Sequence, residues 1–558
     1  MYNSVPSDPE KLTEIRDYIK NDCANYSEYD RIVSYQDVEK ALRQLKADKS
    51  DGSTGLISTH LLISSELYKR HLAMLITAMI THGYQPQVLL QATITSIPKD
   101  NRASLCDSSN YRGITLCSSV SKILDIIILN RYGNLLNTSD MQFAYKRGHS
   151  TSMFSLMVKE TVNYYLSNDS NVYSCCVDLS KAFDRVKHDE LFKLLIDRKV
   201  PGLFLRIIMD MYENQTMRTV WKKCYSGSFE TINGVRQGGI ISPILFCVYV
   251  DTLLKQLENE GIGCWVRGQY YGAIGYADDL KLLSPNVKGL KRMLEICERF
   301  GETYGVKYNP KKTVCILYAK QQPRCKPRMK LCGHELVWVD SVKHLGHVLT
   351  YNLSENVDVR SKKCDLFGRV NTVLSMLGNS PDCVLQTVLN SQCAHLYGTV
   401  AWDFTDKCVH EYVVAWNRSV RRIFSLPPMT HTRYLPHVLK SPGVLDQIYG
   451  RFIRMCQGME KSDNSKVKNL FKVCMSTSRS IIRKNLRQIE LRLKLPLSNV
   501  LSEGVRTLKR MYIEEANNCD KAILNVITEL RETVKCITII PGFSHLEICD
   551  FINFVCTF

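Results

Sequence analysis

The stretch Tyr270–Ser284, "YYGAIGYADDLKLLS", sets two adjacent aspartates, Asp278 and Asp279, between two short apolar runs. The flanking runs read as strands, and the doublet falls where a hairpin between them would turn. Two neighbouring carboxylates repel each other unless a cation, usually a divalent metal, offsets their charge. A metal-binding pair of this kind needs a further ligand from a neighbouring strand, and the place to look is an Asp at the end of another apolar β-run. "VYSCCVDLSKAFDRV" supplies one: Asp178 closes the run Val172 to Val177. If these strands are neighbours, three carboxylates converge. That set suffices for two metal ions about 3.5–4 Å apart, the arrangement used for in-line phosphoryl transfer.

Composition agrees with a nucleic-acid partner. The 558 residues are 45% hydrophobic and 23% charged, ordinary globular proportions, but the net charge is +18. Such a balance favours a polyanion. The 22 cysteines are scattered and no secretory signal opens the chain, so reduced thiols and an intracellular site, nuclear or cytoplasmic, are expected. The longest apolar runs, such as "HLAMLITAMITHG" and "KILDIIILN", fall short of the roughly 20 residues needed to cross a bilayer, so no membrane partner is expected.

Along the chain, a short helical leader with polar residues over positions 1–34 precedes "SYQDVEKALRQLKADK", where Ser34 and Asp37 form a capping-box pair and Val38, Leu42 and Leu45 share a face. Between about 90 and 345, "ATITSIP", "VYSCCVDL", "YYGAIGY", "LKLLS" and "TVCILYA" read as strands among helices. The helix "SPILFCVYVDTLLKQLEN" is expected to start with Ser242 as N-cap and Pro243 as its first residue. Past about 350, basic helical segments such as "RSVRRIFSL" and "RSIIRKNLRQIELRLKL" take over.

"YADD", "DLSKAFD" and "GVRQGGIISPILF", in their order, resemble the catalytic motifs of reverse transcriptases. Further blocks are similar to those of the non-LTR, LINE-type branch: "KADKSDGSTGL" (with Thr54-Gly55 where that block usually ends Asp-Gly), "ITSIPKDN", "NYRGITL", "QFAYKRGHST", "GVKYNPKKT", "KHLGHVLT" and "AWNRSVRRIFSLPPMTHTRYLPHVL", covering about residues 35 to 430. The resemblance implies an α+β right-hand polymerase with fingers, an antiparallel-sheet palm and a helical thumb, followed by a basic helical C-terminal region. The expected divisions are a leader at 1–34, N-terminal extension and fingers at 35–165, palm with part of the fingers at 166–345, thumb and post-polymerase helices at 346–430, and the basic region at 431–558.

It further implies RNA-directed DNA polymerase activity by two-metal nucleotidyl transfer to a primer 3′-OH, with Mg²⁺ or Mn²⁺ as cofactor. Asp178 and Asp278 would bridge the metals, with Asp279 more peripheral. Phe183, five residues after Asp178, would clash with a ribose 2′-hydroxyl and select deoxynucleotides. Gln237 and Gly238 would form a backbone-accessible turn beside the incoming dNTP. Lys99 and Arg112 would hold triphosphate oxygens. Lys312, with Lys311 beside it, would donate a proton to pyrophosphate or contact phosphate. Leu345 and Gly346 would form the primer grip. The partners would be an RNA template, a DNA primer, dNTPs and the element's own RNA in a ribonucleoprotein.

Only about 35 residues precede the first polymerase block, too few for the endonuclease such elements commonly carry, so a truncated element protein, a fragmentary gene model or a polymerase whose nuclease sits on another chain is expected. A silent nucleic-acid-binding remnant and an intron-maturase polymerase are the alternatives. Near the C-terminus, Cys536, His545 and Cys549 do not form a compact zinc set with Cys519.

Overall fold

In a computed structural model of the chain, the two longest strand-rich regions form separate five-stranded sheets, and the second carries the aspartates. The structure describes residues 5–517 apart from Ser53, Thr54, Arg102, Asn379 and His395, so the C-terminal Cys/His group and Thr54 lie outside the described residues.

The aspartate-bearing sheet runs in the order Val337–Trp338, Val314–Tyr318, Val172–Asp178, Asp279–Ser284, Ala273–Tyr276, antiparallel except at the Val337 edge. Its central strands are apolar on both faces because both are covered. By the two-residue alternation of a strand, Cys175 and Val177 join one core with helices Ser242–Asn259 and Val287–Tyr304. Val172, Leu283 and Ile316 join a second core with helix Thr151–Ser167 and the helices beyond residue 350. This is the palm.

The other sheet pairs Gln91–Pro98 antiparallel with Tyr111–Leu116 and parallel with Thr216–Trp221, the strands expected in the fingers. The mixed helix-and-sheet fold matches the α+β class expected, and the expected strands are in place except "YYGAIGY", which is split: Gln269–Tyr270 pairs with Trp265–Val266 in a separate hairpin, and only Ala273–Tyr276 joins the aspartate-bearing sheet.

Two local expectations need adjustment. The helix at 242 is capped one residue earlier than read: Ile241 is the N-cap, and Ser242 and Pro243 occupy the first turn. The exposed amides there are satisfied from a distance. The carboxylate of Asp125, on helix Ser119–Tyr132, accepts from Ile240 N–H (3.1 Å) and Ile241 N–H (3.3 Å), leaving the Ser242 hydroxyl to meet Tyr212 (3.1 Å). The capping box at Ser34 and Asp37 forms as read, but its helix ends at Leu42, and Leu45 packs from the turn that follows.

The leader contains the helix Pro9–Cys23. Asp8 caps it, and Ile15, Ile19 and Cys23, spaced four apart, are buried against helix Gly202–Glu213. Asp22 accepts from the Gly202 amide at 2.7 Å, and Lys11 pairs with Glu190 at 2.6 Å.

Between Asn356 and Asn517 the described elements are helices, and they share a single core with the back face of the aspartate-bearing sheet. The palm helix ties in by a buried ion pair, Lys159 Nζ to Glu355 at 2.8 Å, with Ala401 O also accepting from the lysine and Asp403 N–H donating to the glutamate. Farther along, Asp140 accepts from Ser465, and Glu160 accepts from Ser480 Oγ and Ile482 N–H. Part of the tail's basic charge is spent internally: Arg492 pairs with Asp446 (2.9 Å) and Lys484 with Asp403 (3.3 Å). Every cysteine among the described residues is a free thiol, and no described helix is long and apolar enough to cross a membrane.

Candidate active site

Asp178 and Asp279 are direct cross-strand partners, and Asp279 pairs on its other side with Tyr276. The hairpin turn is therefore the two residues Ala277 and Asp278. Ala277 is left-handed (φ 55°), which lets a two-residue loop close between strands of native twist. This backbone brings Asp178, Asp278 and Asp279 to one corner of the palm, more than 90 residues apart in sequence for the first pair.

The corner is short of positive charge. Burial pushes all three carboxyls up from their ordinary values, and their mutual repulsion adds to it for Asp278 and Asp279. Asp279 goes up to about 6, from burial first and then from the charges of Asp278 and Asp178. Opposing influences come from residues named in the sequence. Lys312 and Lys99 draw Asp178 down, together with a hydrogen bond from Asn309, and Arg112 draws Asp278 down. Lys312, and not Lys311, is the lysine whose charge reaches Asp178.

The carboxylates are hard oxygen donors in a site that resists holding their charge, which is the donor chemistry of Mg²⁺ or Mn²⁺. Among the described residues no three acidic, His or Cys side chains are preassembled as a closed ligand set.

The other sequence candidates divide. Arg112 and Lys99 lie exposed on and just past the paired fingers strands, with Ile97 opposite Arg112. Phe183 sits in the short turn Ala182–Arg185 and stacks on Phe246 (4.4 Å between centroids), so its ring is fixed beside the core. Gln237 clamps the turn: its carbonyl accepts from Thr115 N–H (2.7 Å) and its amide donates to Asp184 (3.3 Å). Gly238 (φ 140°) is demanded by the fingers backbone, since a Cβ there would sit 2.2 Å from Thr115 O. Leu345 and Gly346 (φ 49° and 78°) are the two-residue turn between strands Ser341–His344 and His347–Thr350.

Several residues at the site carried no sequence signal. Asp125 caps the segment that follows Gly238, and burial lifts its carboxyl to about 6 against the pull of Arg236. Arg236 is buried and holds Met211 O (3.1 Å) and Gln215, which sets the course of the "GVRQGG" loop. Tyr145 is 58% exposed on a left-handed backbone (φ 56°), and burial first, then the charges of Cys247 and Asp278, push its hydroxyl up while Arg112 opposes them. A bulky residue in that conformation marks a strained, over-determined position.

The raised Asp279 carboxyl makes a prediction on stability. A carboxyl whose folded value lies above its unfolded value favours the fold when protonated, and that contribution is lost as pH rises through about 6. In metal-free buffer, Asp279→Asn is therefore expected to raise the thermal midpoint at pH 7.5 and to lose that advantage at pH 4. Added Mg²⁺ should narrow the gap by stabilising the wild type. Equal midpoints at both pH values would show that the repulsion is relieved in some other way.

Residues 97–349 match the family model described as reverse transcriptase (RNA-dependent DNA polymerase). The chain is also similar to curated polymerases of transposable elements. The chain is 29% identical over 279 residues to a Pol polyprotein of the R2 element of Nasonia vitripennis, covering 49% of this chain and 26% of that protein. It is 24% identical to the probable RNA-directed DNA polymerase from transposon BS of Drosophila melanogaster (71% and 45%), and 22% identical to the polymerase of the mobile element jockey from the same fly (78% and 49%). The chain spans between a quarter and a half of these relatives' lengths. Among solved structures, a telomerase from Candida tropicalis with a fragment of telomeric RNA aligns with 80% of this chain and 64% of that one, at a TM-score of 0.37 and 13% identity.

Proposed function

We propose that the chain is an RNA-directed DNA polymerase of a non-LTR retrotransposon, extending a DNA primer on an RNA template by nucleotidyl transfer. The observation that carries this reading is the pairing of Asp178 with Asp279 across the sheet, with Asp278 at the adjoining turn. Asp178 and Asp278 would hold two divalent ions, Mg²⁺ or Mn²⁺, and Asp279 would lie at their edge. Such ions lower the pKa of the primer hydroxyl and neutralise the leaving pyrophosphate.

The remaining roles fall to the chain's own side chains. Arg112 and Lys99 orient triphosphate oxygens from the fingers side, Arg112 in a bidentate grip. Lys312 stands where it can protonate or contact the departing phosphates, beside Asp178. The Gln237–Gly238 turn borders the nucleotide, and the Leu345–Gly346 turn supports the primer strand. Exposed basic faces of the thumb and tail follow the phosphates of the duplex, which makes binding steeply salt-dependent. The element's own RNA is the natural template and ribonucleoprotein partner. N-terminal extension and fingers at 35–165, palm with part of the fingers at 166–345, thumb and post-polymerase helices at 346–430 and a basic region at 431–558 are the divisions we assign.

Phe183 is the discriminating group. With its ring pinned on Phe246, Phe183→Val should admit ribonucleotides, improving kcat/KM for rNTP relative to dNTP by about tenfold or more. Unchanged discrimination would assign Phe183 to packing alone.

Primer extension on poly(rA)/oligo(dT) with dTTP and Mg²⁺ tests the reading, with the double variant Asp278→Ala, Asp279→Ala as control. Wild-type product well above the control supports it; none above the control overturns it in favour of a silent nucleic-acid-binding protein.

A further inference from the structure

We infer that residues 141–155 form a strap that fixes the metal-site turn to the Leu345–Gly346 turn, with Gln142 and Phe154 as its positioning residues. The inference rests on the polymerase reading for its functional consequence, and on hydrogen bonds and ring packing for its geometry.

At one end the strap lies along the edge of the palm sheet. Gly275 N–H donates to Met141 O (2.9 Å), and Phe143 N–H donates to Gly275 O (2.8 Å). The wholly buried Gln142 turns its side-chain oxygen to the hairpin turn, accepting from Ala277 N–H at 2.9 Å and from Ala144 N–H at 3.1 Å. Ala277 is the left-handed residue on which the turn depends. Its N–H has no ladder partner at the tip of the hairpin, so Gln142 replaces a bond that the sheet cannot provide. The amide nitrogen of Gln142 meets no acceptor among the described residues. The acceptor oxygen is therefore the part of this side chain that the site uses.

At the other end the strap becomes helix Thr151–Ser167, capped by Ser150. Its first turns hold the second hairpin at several points. Ser155 Oγ meets His347 Nδ1 at 3.0 Å, and Ser152 Oγ meets His347 Nε2 at 3.4 Å. Thr151 Oγ1 meets the Tyr397 hydroxyl (2.7 Å), which donates to Leu345 O at 2.8 Å. Leu345 is left-handed and not glycine, a conformation that persists only when its surroundings enforce it.

Phe154 joins the two ends. Its buried ring meets Tyr276, the first residue of "YADD", edge-on at 6.5 Å, Phe143 of the strap at 5.9 Å, and His344 of the second hairpin in a stack at 5.3 Å. One ring thus touches both hairpins and the segment between them. Close packing does not deform continuously, so a shift at one turn is passed to the other. In the polymerase reading this sets the separation between metals and primer 3′-hydroxyl, where a misplacement of about 1 Å costs on the order of a hundredfold in rate.

The test compares Gln142→Ala, Gln142→Glu, Ser155→Ala and the double variant Gln142→Ala, Ser155→Ala by amide hydrogen exchange and by primer extension. Gln142→Ala is expected to speed exchange severalfold over 273–284 and also over 341–350, and to lower kcat about tenfold or more with primer–template Kd unchanged. Gln142→Glu, protonated in that buried site and still an acceptor, should restore both. Ser155→Ala should act on KM for primer–template, and the double variant should cost less than the product of its parts, as for residues acting as a unit. Faster exchange confined to 273–284, or strictly multiplicative effects, would overturn the strap. Should the wild type extend no primer, the polymerase reading fails, and the exchange data still decide the strap.

Discussion

Asn at Asp178 or at Asp278 is expected to reduce primer extension by about a thousandfold or more, while the fold and duplex binding hold. The magnitude follows from what such a carboxylate does. A ligand that places a metal against developing charge contributes several kcal/mol to the transition state, and each 1.36 kcal/mol is tenfold in rate. Removing one of three mutually repelling groups does not destabilise the apo fold, since burial and repulsion already push these carboxyls up. Loss of activity should therefore appear without a fall in the unfolding midpoint. Because the two ligands act together, the double variant should be little worse than either single one. Single-turnover extension with saturating primer–template reads the effect in kcat. A variant at either position retaining a tenth of wild-type rate would remove that residue from the metal site.

The largest effect on stability is expected at Lys159. Its ammonium is 4% exposed and faces a glutamate, Glu355, that is 1% exposed. Such a pair adds little over a well-packed apolar one, but removing one partner strands the other charge, at a cost of about 3–5 kcal/mol. Lys159→Met should therefore move the urea midpoint strongly downward. Burial already raises the Glu355 carboxyl, with Lys159 opposing it, so the single variant should recover stability as pH falls and the lone glutamate protonates. Lys159→Met with Glu355→Leu should regain most of the loss. If the double variant is as unstable as the single one, the lysine's bond to Ala401 O is the stronger contribution.

Some of this was open to inspection in the sequence because it is local. A run such as Val172 to Val177 with its terminal Asp, or two apolar runs around a doublet, encodes strand and turn in neighbouring residues. Ser34 and Asp37 are likewise three apart. What the sequence concealed is what distant segments do for one another. Asp125 caps amides 115 and 116 residues away, and this is why Ser242 was misplaced as the N-cap. A glutamine in "QFAYKRG" gives no sign that it serves a turn 135 residues later. The leader's stripe at Ile15, Ile19 and Cys23 is diluted by charged neighbours, so its docking shows only once Gly202–Glu213 is in place. Gly238 was legible as a close approach, but the backbone it approaches most closely is that of Thr115.

The core shared by the palm's back face and the late helices also bears on synthesis. Residues such as Val172 and Leu283 have one side of their strands covered by segments reaching to Leu493 and Val500. A ribosome adding roughly 5–20 residues per second needs on the order of 15–60 s to travel from the first catalytic aspartate to the helix that seats Glu160. During that interval the nascent sheet shows an apolar face to the cell. The strands that carry Asp178 and Asp279 are thus complete in sequence long before the helices that cover their apolar face are made.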